Sequence, residues 1–120
     1  MKEVVVREPQ ALFVVVLREV LVGRDIEMII RDSCPDAHVL VTPNLRDAEV
    51  ALPEGRIRAV FVQSEAAAIL ASSVGQRVAN DRGLVVLVGQ DEIPALPEGW
   101  KALPFPFAGH EVADLLHGVA

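Results

Sequence analysis

The residues of this chain that could do chemistry stand just after its apolar runs. Gln63 and Ser64 follow Ala59-Val60-Phe61-Val62, Leu17-Arg18-Glu19 ends the run that begins at Ala11, and Gly89 and the acids Asp91 and Glu92 follow Leu84–Val88. If the runs are parallel strands, these residues share one rim, because ligands in open α/β sheets gather outside the carboxyl ends of the strands. What stands on the central strand is a neutral amide, Gln63, and an amide is a poor nucleophile. Glu19, Glu65, Asp91 and Glu92 belong to the same rim. Acids placed there either bind a cation or remain solvated loop acids, and the spacing leaves both readings open.

The other reactive side chains are scattered. Cys34 is the single cysteine, which excludes an internal disulfide and a cysteine-based zinc site; with no His-rich or Gly-rich context it reads as an inert turn or core residue. His110 and His117 are seven residues apart, about two helical turns, with no third ligand at matching spacing. His38 opens a strand and reads as structural. No glycine follows Val16 until Gly23, so the first strand lacks a phosphate-binding loop. The only tryptophan, Trp100, lies in a Pro/Gly-rich stretch and serves either as an interface anchor or as a clasp for that loop.

The elements that must position these residues follow a strand–helix rhythm. Residues 57–64 read as the central strand, buried on both faces because its core does not alternate apolar with polar. Residues 11–17 form the first strand, and Val22, Ile26, Ile29 and Ile30 the inner stripe of a first helix. His38–Thr42 is the second strand. Asn44 caps a short second helix with the stripe Leu45, Ala48, Ala51 and Leu52, which Pro53-Glu54-Gly55 stops. Ser64 is expected to cap a third helix from residue 65 to about 80, with Ala67, Leu70, Val74 and Val78 inward. Leu84–Val88 is the fourth strand, Lys101–Leu103 a short fifth, and Val112, Leu115, Leu116 and Val119 the inner face of a closing helix. Two prolines within residues 90–99 forbid a fourth helix of ordinary length between the last two strands. Ala-Leu-Pro-Glu-Gly occurs at 51–55 and again at 95–99; nothing flanking it repeats, so the two copies read as independent stops.

At 120 residues and 52% hydrophobic content the chain is one domain with an aliphatic core, since aromatics make up 4%. Residues 1–10 are expected to be an N-terminal arm or extra strand. The net charge of −6 with scattered basic residues disfavours nucleic-acid binding. The apolar stretch near the start is too short for a signal peptide, and no run approaches the roughly 20 residues of a membrane span, so a soluble, cytoplasmic protein without membrane association is expected. Strands alternating with helices imply a parallel, flavodoxin-like doubly wound sheet of order 2-1-3-4-5, with a reduced or missing fourth helix.

In this arrangement the chain resembles the receiver domain of bacterial two-component response regulators. Pro104-Phe105-Pro106-Phe107 is similar to that family's Lys-Pro-Phe signature with Phe105 in place of the lysine, and residues 12–19 are similar to its first strand and acidic corner. The resemblance implies two acids where Leu17 and Arg18 stand, with Glu19 the surviving acid. It also implies a phosphoaccepting aspartate at Gln63 and a Thr or Ser hydroxyl at Gly89. Phosphoryl transfer of this kind needs a carboxylate nucleophile, a Mg²⁺ ion on oxygen ligands, and hydroxyl and cationic groups for the phosphoryl oxygens. None of these stands in place, so the resemblance implies a degenerate pseudo-receiver that is not phosphorylated in the usual way.

Two functions of different class follow. One is a phosphorylation-independent adaptor or signalling domain, not an enzyme and without a cofactor. Its partner would be a sensor kinase, another regulator or a second copy in a homodimer, and Ile93, Leu96, Trp100 and Leu103 are the expected contact surface. The other is a small-ligand-binding or enzymatic domain using the crevice at the ends of strands 1 and 3.

Overall fold

The computed structural model describes residues 11–89 and 96–118. The anticipated residues 1–10, Asp91, Glu92, Ile93 and Val119 lie outside them. The apolar runs become β1 (Ala11–Val16), β2 (His38–Thr42), β3 (Arg56–Val62), β4 (Leu84–Val88) and β5 (Lys101–Leu103). They form one five-stranded sheet in the order β2-β1-β3-β4-β5, every neighbouring pair parallel. Parallel neighbours require crossovers, and helices α1 (Val20–Ser33), α2 (Leu45–Ala51), α3 (Ala66–Ala71), α4 (Ser73–Asn80) and α5 (Gly109–His117) supply them or close the fold.

Strand alternation sorts the core into two layers. Phe13 and Val15 of β1, Ala59 and Phe61 of β3, and Val86 and Val88 of β4 face α1 and α5, meeting Ile26, Ile30, Val112 and Leu116. Leu12, Val14, Val16, Val60 and Val62 face the other way, onto Ala48 of α2, Ile69 of α3 and Val74 and Val78 of α4. Both faces of the central strands are therefore covered, which is why their sequences are continuously apolar. Each fully buried side chain such as Phe61 or Ile26, at 0% exposure, contributes about 1.5–3 kcal/mol of transfer free energy.

The helices depart from expectation in specific ways. The single helix anticipated over residues 65–80 is two, broken at Ser72, whose φ of −84° and ψ of 157° are extended. Ser72 is buried; its hydroxyl donates to the Ile69 carbonyl at 2.6 Å and accepts from the Gly75 N–H at 3.0 Å, ending α3 and capping α4. Gly75 permits the tight corner, since a Cβ there would lie 1.9 Å from the Ile69 carbonyl oxygen. The break resets the helical phase. Ile69 faces inward, whereas Ala67 and Leu70, expected inside, are exposed; Val74 and Val78 are buried as expected. Ser64 is not the cap of α3: that position falls to Glu65, whose side chain makes no capping bond. Asn44 does cap α2, accepting from the Asp47 N–H at 2.8 Å, but Ala51 at the far end of α2 is exposed.

Between β4 and β5 the described residues, Gly89 and 96–100, hold a turn and no helix. The repeated Leu-Pro-Glu-Gly has a structural counterpart that its flanks do not reveal. Both copies lead into a strand from the same core layer, Leu52 and Leu96 packing against it, and both end in a positive-φ glycine, Gly55 at 132° and Gly99 at 86°. Arg77 of α4 fastens the first copy, donating to the carbonyls of Pro53 at 2.9 Å and Gly55 at 2.6 Å.

Candidate functional site

The carboxyl ends of β1, β3 and β4 form the rim where chemistry was expected. Ladder bonds continue one residue past each strand: the Leu17 N–H donates to the Thr42 carbonyl at 3.0 Å, Gln63 to Val16 at 3.0 Å and Gly89 to Leu103 at 2.9 Å. Arg18, Gln63, Ser64, Glu65 and Gly89 thereby line one open depression of about 310 Å³. The sequence positions converge as the strand ends dictate, with one exception. Leu17 is 3% exposed and packs into the α1/α5 core layer, so it faces away from solvent.

Phe105 closes the other side. Gly89 has φ of +82°, and a Cβ built there would lie 2.5 Å from Cε2 and 2.8 Å from Cδ2 of Phe105, and 3.3 Å from Nε2 of Gln63. The aromatic ring thus rests directly on the Gly89 backbone beside the Gln63 amide. Phe105 is half-buried against the α1/α5 layer and stacks on Phe107 with ring centroids 5.7 Å apart and planes 23° apart. The peptide bond between Phe105 and Pro106 is cis. Glycine at 89 and phenylalanine at 105 are therefore one feature: the ring occupies the volume that a side chain at 89 would need.

Among the described residues the depression offers a magnesium ion one carboxylate, that of Glu65, and no cluster of acids. Leu17 is apolar and buried, Arg18 brings a cation and Gln63 a neutral amide, whereas Mg²⁺ demands several oxygen donors, usually with carboxylates among them. Glu19 and Glu65 are exposed residues at the N-caps of α1 and α3, and neither side chain makes a capping bond. Among the described residues no three His, Cys, Asp or Glu side chains cluster as metal ligands.

The anticipated contact surface is partly corrected. Leu103 is 2% exposed and belongs to the α1/α5 core layer, because β5 turns it inward while Lys101 and Ala102 stay exposed. Leu96 and Trp100 are half-buried against the opposite layer. Trp100 borders a groove with Leu70, Val78, Arg82 and Glu98, and its backbone N–H closes the turn by donating to the Pro97 carbonyl at 3.1 Å. His38, His110 and His117 are exposed; Cys34 is half-buried where α1 ends, and shares a pocket with His117.

One polar contact has no sequence signal. Glu49 of α2 accepts from both the N–H and the hydroxyl of Ser73, each at 3.0 Å, at the start of α4. These two bonds hold the Glu49 carboxyl below its ordinary range.

The sheet order and the helices on both faces define the flavodoxin-like class of doubly wound folds, with the depression at its switch point. Within that class, the chain superposes on two structures of the chemotaxis response regulator CheY4 of Vibrio cholerae. One has a TM-score of 0.71 at 13% identity, the other 0.66 at 12%, and each alignment covers 92% of this chain and 99% of CheY4. At those identities the likeness establishes the fold. No protein-family model and no curated protein sequence matches the chain. Among the described residues no helix is long and apolar enough to cross a membrane.

Proposed function

We propose that this chain is a receiver-like signalling or adaptor domain of a two-component-type pathway that acts through protein contacts without being phosphorylated. The partner is a sensor kinase, another regulator or a second copy. The observation that carries this reading is the Phe105 ring seated on Gly89 beside Gln63. In a phosphorylatable site, a hydroxyl and an ammonium would meet phosphoryl oxygens in that volume; here it holds hydrocarbon. The remaining parts agree with it. Gln63 offers no carboxylate to form an acyl phosphate, and Arg18 and the buried Leu17 offer a metal no ligand. The signal then lies in which surface the domain presents rather than in a covalent switch. Incubation with a small acyl phosphate and Mg²⁺, followed by intact-mass spectrometry, tests this. The mass is expected to stay unchanged, and a hydroxylamine-labile gain of one phosphoryl group would overturn the proposal.

A further inference from the structure

Five large hydrophobic side chains are strongly exposed among the described residues, and three of them are on α1: Val20 at 62%, Leu21 at 78% and Met28 at 63%. The helix is amphipathic in the ordinary sense, burying Gly23, Ile26 and Ile30 against the sheet; Leu21 and Met28 form a second apolar line on its solvent side, and Val20 lies off that line beside Arg24. Leu21 and Met28 are seven residues apart, about two turns, and lie on one line along the helix. Two further pairs repeat at the same interval. Arg24 and Arg31 run along one edge of the stripe, Asp25 and Asp32 along the other, and all four are exposed. Arg31 shares Glu27 Oε2 through Nε at 3.1 Å and Nη2 at 2.9 Å, leaving Nη1 outside those bonds. A solvated helix has no need of two exposed apolar residues in register between a basic and an acidic edge.

We propose that this face of α1 binds a second copy of the chain, the two α1 helices lying parallel about a two-fold axis along their length. That symmetry sets Leu21 against Leu21 and Met28 against Met28 of the second copy. It also brings the basic edge of each helix to the acidic edge of the other, so the contact between opposite edges occurs twice in the dimer. Antiparallel packing about the same stripe would put like edges together, so the charge pattern selects the parallel arrangement. The contact is small. One face of a 14-residue helix falls short of the ~800 Å² per partner of a standard interface, so the dimer is reversible and concentration-dependent.

Sedimentation equilibrium of the whole chain across a wide concentration range tests the proposal. It uses no phosphoryl donor, so its outcome is independent of the phosphorylation reading above. A monomer–dimer equilibrium is expected, weakened about tenfold or more by either Leu21→Glu or Met28→Glu, changes at exposed positions that leave the core intact. The edges give a second test. Arg24→Asp with Arg31→Asp makes both edges acidic, and Asp25→Arg with Asp32→Arg makes both basic. Each double variant alone should be monomeric, and their mixture should form heterodimers, with circular dichroism confirming that α1 remains helical. A wild-type chain that stays monomeric at its solubility limit overturns the proposal. So does a dimer that survives Met28→Glu and Leu21→Glu, or a mixture of edge variants that does not associate.

Discussion

Replacing Gly89 with alanine tests the packing of the Phe105 ring on the Gly89 backbone, the observation on which the proposed function rests. The added Cβ would approach the Phe105 ring to 2.5 Å, about 1 Å inside ordinary carbon–carbon contact, so the ring or the backbone must move. The backbone opposes the change as well, because φ of +82° costs a residue with a Cβ about 1–2 kcal/mol. Overpacking adds about 1–3 kcal/mol, for a total destabilisation of about 2–5 kcal/mol. Removing the ring by Phe105→Ala loses about 1–2 kcal/mol of half-buried contact but abolishes the clash. The double variant should therefore be more stable than the sum of the single effects predicts, with a coupling of about 1–3 kcal/mol. Urea unfolding followed by the fluorescence of Trp100, the sole tryptophan, reads the effect as a midpoint lowered by about 1–2 M in Gly89→Ala at unchanged slope. A Gly89→Ala midpoint equal to wild type, or strict additivity in the double variant, would refute the placement of Phe105 over Gly89.

Two further outcomes follow from named contacts. Gln63→Asp alone should remain unphosphorylated by acyl phosphate and Mg²⁺, because Arg18 lines the same depression and would hold the new carboxylate in an ion pair; an intact-mass gain would contradict this. Glu49, held below its ordinary value of 4.5 by Ser73, stabilises the fold above that value, and the contribution is lost as pH falls through the lowered folded pKa. Urea midpoints measured from neutral to acid pH should therefore fall less steeply in Glu49→Gln than in wild type, and parallel curves would show that the clamp contributes nothing.

The sheet was legible because its strands are apolar runs closed by turns, and the bounds of β2, β4 and β5 coincide with those runs. The break at Ser72 was not. Serine inside a helical pattern is unremarkable by type, and only the bond from its hydroxyl to the Ile69 carbonyl and the steric need for Gly75 reveal the corner. That corner also decides which residues face inward, so the periodicity that placed Val74 and Val78 correctly misplaced Ala67 and Leu70. At the rim, the meeting of Arg18, Gln63 and Gly89 was readable because all three follow strands of one parallel sheet. The seat of Phe105 on Gly89 was not readable, since the two are far apart in sequence and the contact depends on the path of the chain after β5. Leu103 was misread for a related reason: a three-residue strand carries too little alternation to show which way its last side chain points.

The central claim, that this rim neither binds Mg²⁺ nor takes a phosphoryl group, is tested most directly by the amide resonances of Arg18, Gln63 and Gly89. These three residues line the depression, and any ion or phosphoryl group held there would alter their surroundings. In a titration of the wild-type chain with Mg²⁺ and then a small acyl phosphate, the account predicts no saturable shift at any of the three. Saturable shifts confined to them, followed by a second set of resonances once the acyl phosphate is present, would contradict it.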